Sequence, residues 1–189
     1  MNTCLLITDV QKGFINKFTE HIPKFVEKLQ FEYETVLATR FFNKDGSFYH
    51  DLIKWHRFSK DSKDTELAFK IRSDAIVIEK HIYTCINVNF IKLLRSRNIS
   101  EVHICGIDTD ICVTKCAVDL FENDIALVVL SQYCASTAGF IAHKNALKTL
   151  ARYIGKSQIC SKKHCNVSTG VLKIKTPIPS FSIQKQQDS

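Results

Sequence analysis

The chain has no apolar run of eighteen or more residues, no CxxC pair and no internal repeat. The first absence argues against a membrane span. The second argues against a dithiol or zinc-ribbon motif. The opening residues, MNTCLLITDVQKGF, carry no basic region, no long apolar segment and no small-residue cleavage site. They read as the first strand of a fold and not as a signal peptide. Lys and Arg outnumber Asp and Glu by 26 to 19, giving a net charge of +7. The basic residues are scattered from Lys12 to Lys185 with no nucleic-acid motif, so they read as a solvated surface and no nucleic-acid partner is expected. With no secretory signal, a cytoplasmic protein is expected and the eight cysteines are expected as free thiols.

What is present is an alternation. At 189 residues, 45% hydrophobic and 24% charged, the composition is that of one ordinary globular domain. Short apolar runs at 3–9, 35–41, 75–80, 101–106 and 125–130 read as strands, with a short sixth at 157–160. Segments of helical period at 20–32, 88–98, 110–123 and 136–155 lie between them, with Asn87 as a cap and Asn123 as a left-handed helix end. Strands this apolar are buried on both faces. The expected fold is therefore three-layer α/β/α: a Rossmann-like, doubly wound parallel sheet of five to six strands. Residues 1–160 form the domain. The Lys-, Ser-, Pro- and Gln-rich stretch 161–189 reads as a C-terminal tail, irregular or packed on the body or a partner. The polar and aromatic connection 42–64 is long enough to suggest a function.

In such folds the site lies at the carboxyl ends of the strands. Asp9 ends the first strand, Lys80 ends the third, and Cys112 opens the helix after the fourth. A helix N-terminus and a nearby ammonium favour a thiolate, and a carboxylate can take the thiol proton and return it to a leaving amine. Each residue alone also has a bland reading, as a turn, a solvated lysine or a buried filler. Phe14, Trp55 and Tyr83 either line the substrate pocket or pack in the core. A redox pair of Cys112 and Cys116, one helical turn apart, is a further option.

LLITDVQKGFI resembles the opening motif of the isochorismatase-like cysteine hydrolases, and GIDTDICV resembles their nucleophile motif, with Lys80 in the interval between them. The resemblance covers about residues 3–160. It implies a triad in which Cys112 attacks a carbonyl, Asp9 is base and acid, and Lys80 holds charge beside the thiolate. It implies a cis Ile107–Asp108 bond and an oxyanion hole formed by the N–H groups of Asp108 and Cys112, with Thr109 pinning the turn. A small-molecule substrate, no cofactor, no membrane and a homo-oligomer (dimer or tetramer) go with it.

There are departures. Family nicotinamidases carry a metal loop of Asp-x-His and a further His, where this chain reads HDLIKWHRF, offering only His50, Asp51 and His56. No metal is expected. Thr84-Cys85-Ile86 stands where Ser-Ala-Phe is common, Cys116 replaces a common threonine, and Gln132 lies near a usual aspartate. The function expected is cleavage of an amide-type carbon–nitrogen bond through a thioester. The alternatives are cleavage of a vinyl ether, as in isochorismatase, and a non-catalytic binding or regulatory protein on the same fold.

Overall fold

The computed structural model describes residues 2–161, and within them six strands form one sheet in the order β3-β2-β1-β4-β5-β6. The strands are β1 (Thr3–Thr8), β2 (Thr35–Phe41), β3 (Ile76–Lys80), β4 (Glu101–Ile107), β5 (Ala126–Ala135) and β6 (Ile159–Cys160). Every pairing is parallel. The helices are α1 (Ile22–Leu29), α2 (Phe48–Asp51), α3 (Val88–Ser96), α4 (Thr114–Glu122) and α5 (Phe140–Tyr153). The tail expected at 161–189 lies, from residue 162 on, outside the described residues.

The sequence pattern explains which strands are central. From Cys4 to Thr8 and throughout β4 every residue is buried, so neither strand alternates. β3 alternates half-buried and exposed residues up to the buried Lys80, as an edge strand does. The chain winds from β1 outward to β3 in one direction and from β4 outward to β6 in the other. Right-handed crossovers then put the helices after β1 and β4 on opposite faces. The direction reverses between β1 and β4, and their carboxyl ends make the crevice. Among the described residues no helix is long and apolar enough to cross a membrane.

Local chemistry sets the helix ends. α1 buries Ile22, Val26 and Leu29, one stripe at helical spacing, and tolerates Pro23 in its first turn. The Asn87 side chain accepts from the amides of Asn89 and Phe90 at 2.9 and 3.0 Å, capping α3. Two expectations are corrected. The left-handed residue after α4 is Asp124 (φ 56°), not Asn123 (φ −100°). The Asn123 side-chain amide instead donates to the Asp119 carbonyl at 2.8 Å. The segment expected as helix from 110 begins as a wide turn, with the Val113 amide bonded to the Asp108 carbonyl five residues back, and becomes α-helical only at Thr114.

Gly106 lets β1 and β4 meet at the crevice. Its φ is +125°, and a Cβ there would lie 2.0 Å from the Thr8 carbonyl oxygen. Both objections are to backbone, which cannot swing aside as a side chain does. Gly106→Ala is therefore expected to cost about 3 kcal/mol or more, or to block folding, as read by the denaturant midpoint. A midpoint equal to wild type would contradict the close approach.

Candidate active site

Asp9 follows β1 with φ 49° and is fully buried. Thr39 of β2 fixes it twice: the Thr39 hydroxyl accepts from the Asp9 amide at 3.0 Å and donates to Asp9 Oδ1 at 2.5 Å. Lys80 ends β3, with β2 standing between it and β1, so the Lys80 and Asp9 side chains together must span two sheet steps of about 5 Å each. Lys80 leans over Phe41, the last residue of β2, with Nζ 5.3 Å from the ring centroid. The ammonium then lies 2.6 Å from Asp9 Oδ2, 3.0 Å from the carbonyls of both Ile82 and Tyr83, and 3.6 Å from Cys112 Sγ. Burial weakens the hold of Lys80 on its proton, but Asp9 and then Cys112 outweigh it, and the pKa is raised.

Cys112 sits in the wide turn Thr109–Val113. The amides on either side of it, from Ile111 and Val113, both donate to the Asp108 carbonyl at 3.1 Å. The expected pull of the ammonium toward a thiolate is present but outweighed. Burial, then the Asp9 charge, push the Cys112 thiol well above its ordinary range, and Lys80 offsets only part of that. The physical reason is that the Lys80 ammonium already has the Asp9 carboxylate as its counter-ion, so a thiolate would be a second anion beside it. These directions favour a neutral thiol at rest. The Cys116 thiol, the other member of the redox option, is hydrogen-bonded with Cys85. Cys4, Cys85, Cys105, Cys112, Cys116 and Cys134 are free and buried, whereas Cys160 is disulfide-bonded, an exception to the free thiols expected.

The Ile107–Asp108 peptide bond is cis. Thr109 Oγ1 lies 2.8 Å from Nδ1 of His143 on α5, and the Thr109 carbonyl accepts from the Thr114 hydroxyl at 2.6 Å. Side chains from two elements thus hold the turn.

Above the thiol is a cavity of about 330 Å³, and Phe14, Trp55 and Tyr83 all lie on its wall. Phe41, Tyr49 and Phe58, which sequence reasoning did not single out, complete an aromatic box. Trp55 stacks on Phe14 at 6.2 Å and on Phe41 at 5.8 Å, and Tyr49 meets Tyr83 edge-on at 5.2 Å. The connection 42–64 therefore supplies much of the wall, and Gln11 ties that region to β1. The Gln11 side-chain amide donates to the carbonyls of Phe41 (2.8 Å) and Thr65 (2.9 Å), and its oxygen accepts from the Phe41 amide (2.8 Å). Gly13 is required beside it, because a Cβ would lie 2.4 Å from the Phe58 ring. The signal for Gln11 was present in DVQKGF. The aromatic residues of the connection offered no period to read.

The His50 and His56 rings face each other at 5.0 Å, but among the described residues no group of three or more His, Cys, Asp or Glu side chains is arranged to hold a metal ion. The donor set does not fit a metal of the nicotinamidase type.

Asp108 has a second feature that sequence reasoning missed. Its carboxylate accepts from the Thr137 amide at 2.6 Å and from the Thr137 hydroxyl at 2.8 Å. It is 6% exposed and lines the cavity. Burial pushes its pKa up to about 6; the Thr137 bonds oppose this, and the like charges of Asp110 and Asp9 add to it.

The comparisons agree with this architecture. An isochorismatase domain model matches residues 3–160. The uncharacterized isochorismatase family protein PncA of Bacillus subtilis (strain 168) is 42% identical over 62 residues, a match that spans 33% of each chain. Among solved structures, an isochorismatase-like hydrolase from Alkaliphilus metalliredigens superposes with a TM-score of 0.73 at 17% identity, covering 84% of this chain and 94% of that one. The nicotinamidase PncA from Bacillus subtilis gives 0.72 at 20% identity, covering 85% and 99%. N-carbamoylsarcosine amidase from Thermoplasma acidophilum gives 0.69 at 21%, covering 82% and 94%. These solved structures share the six-stranded α/β fold described above.

Two outcomes follow from the charges. In Asp9→Asn the lysine loses its counter-ion and the thiolate can take that place. Cys112 should then be alkylated by iodoacetamide faster than in wild type at neutral pH, whereas Lys80→Met should slow labelling. Slower labelling in Asp9→Asn would contradict the resting thiol. At Asp108, a folded pKa of about 6 against an ordinary 3.8 means that the folded state binds more protons between those values, so the ionised carboxylate costs stability above about pH 6 and nothing below 3.8. Asp108→Asn, which can keep both Thr137 bonds, should raise stability at neutral pH by up to roughly 3 kcal/mol and leave it unchanged in acid. Thermal melts across pH read this directly, and a destabilised variant at neutral pH would contradict it.

Proposed function

The chain belongs to the isochorismatase family of hydrolases, and from that premise we propose that it cleaves an amide-type carbon–nitrogen bond of a small molecule with Cys112 as nucleophile. The observation that carries the reading is the single ammonium of Lys80 held against both Asp9 Oδ2 and Cys112 Sγ beneath the cavity. The similarity of fold to a nicotinamidase and an N-carbamoylsarcosine amidase supports an amide as the substrate group.

Asp9 takes the thiol proton as Cys112 sulfur forms its bond to the substrate carbonyl carbon. The negative charge thereby moves from Asp9 to sulfur and on to the carbonyl oxygen. Lys80 stays within reach of the first two positions, so no charge separates from its counter-ion. The amides of Asp108 and Cys112 receive the oxyanion. Protonated Asp9 then gives its proton to the leaving nitrogen, the carbon–nitrogen bond breaks, and an amine or ammonia departs from a thioester. Water then attacks the thioester carbon as Asp9 takes its proton, the carbon–sulfur bond breaks, and Asp9 returns the proton to sulfur, which releases the acid product and restores the neutral thiol. No step requires a cofactor.

Ammonia release over a panel of primary amides, carbamoyl compounds and ureas tests this reading. Wild type should turn over at least one member. Cys112→Ala should lose turnover, and Asp9→Asn should lower kcat by about 10²–10⁴-fold. Turnover that survives Cys112→Ala would refute the covalent route.

A further inference from the structure

The Asp108 carboxylate plays no part in the steps above, where only its backbone amide acts, yet Asp108 lines the same cavity together with Thr137, to which the carboxylate is bonded. We infer that this carboxylate is a substrate-recognition group, and that the preferred substrate presents a cationic planar group, such as an amidinium or guanidinium, to Asp108 inside the aromatic box. The inference rests on the hydrolase reading for the word substrate, but not for the binding it describes.

Three observations carry it. First, Asp108 is buried and, among the described residues, has no cation paired with it. Its hydrogen-bond partners both come from Thr137, the nearby Asp9 and Asp110 share its sign, Lys80 is committed to Asp9, and Arg57 is held by both oxygens of Asp64 at 2.9 and 3.1 Å. Second, an ionised carboxylate accepts about four hydrogen bonds, and Thr137 supplies one to each oxygen, so capacity remains for a ligand donor. Third, six residues of the wall are aromatic: Phe14, Phe41, Tyr49, Trp55, Phe58 and Tyr83. Ring faces attract cations, and a flat group can stack between Trp55 and its neighbours. A ligand in the cavity can supply the missing counter-charge, a pattern expected of functional sites. An anionic substrate would need Arg57 instead, and Asp64 already occupies that fork.

Trp55 is the sole tryptophan of the chain and lies on the cavity wall, so its fluorescence reports occupancy without turnover. In a Cys112→Ala background, titration with benzamidinium, benzamide and benzoate compares three flat ligands of nearly one shape and different charge. Benzamidinium should bind about tenfold or more tighter than benzamide, and benzoate weakest. Asp108→Asn should remove the benzamidinium preference while leaving benzamide affinity within about twofold. Equal affinities, a preference for benzoate, a benzamidinium preference that persists in Asp108→Asn, or no binding of any of the three would each overturn the inference. Failure of the hydrolase reading would show separately, as absent ammonia release with this binding order intact.

Discussion

The contact on which the site depends is the buried ion pair between Lys80 and Asp9, at 2.6 Å. Either charge alone in that place would be very costly, because the lysine is 4% exposed and the aspartate not at all. Together they oblige β3 and β1 to present their ends to one point across the width of β2. They also fix the protonation of their neighbour. With one cation and one carboxylate already matched, the balance favours a neutral Cys112 thiol at rest, and in the proposed mechanism nucleophile and base become two positions of one shared negative charge.

The surrounding structure serves that pair. Thr39 holds Asp9 from β2, Phe41 carries the lysine stem, and the carbonyls of Ile82 and Tyr83 accept its remaining protons. Gly106 allows β4 to close on β1, and the turn that follows aims Cys112 at the ammonium. The aromatic wall then keeps water from the pair, and a dry site strengthens every charge interaction within it.

Much of the fold was legible because central parallel strands leave an unmistakable trace. Runs such as CLLIT and EVHICGI cannot be half-exposed, and helical segments between them leave few topologies. Asp9, Lys80 and Cys112 were legible as residues at strand ends, and the two motifs around Asp9 and Cys112 ordered them. Other features depend on contacts that composition does not encode. Strand order decides whether Lys80 must lean across β2, and no local pattern records it. The state of the Cys112 thiol depends on counting charges in three dimensions: the ammonium acts in the expected direction, but burial and Asp9 outweigh it. The connection 42–64 packs through ring-on-ring contacts of Tyr49, Trp55 and Phe58, which have no period. The Asp108 side chain was overshadowed by its own backbone amide, since only the fold brings Thr137 to it.

The resting charge arrangement is the central claim, and the ultraviolet absorbance of the Cys112 thiolate measures it most directly. A pH titration of wild type minus Cys112→Ser removes the signal of the remaining cysteines. The account predicts no thiolate difference at neutral pH and its appearance only in alkali, above the ordinary thiol range. A thiolate difference already complete at neutral pH would mean that Lys80 pairs with sulfur at rest, and the account of Asp9 as the resting counter-ion would be wrong.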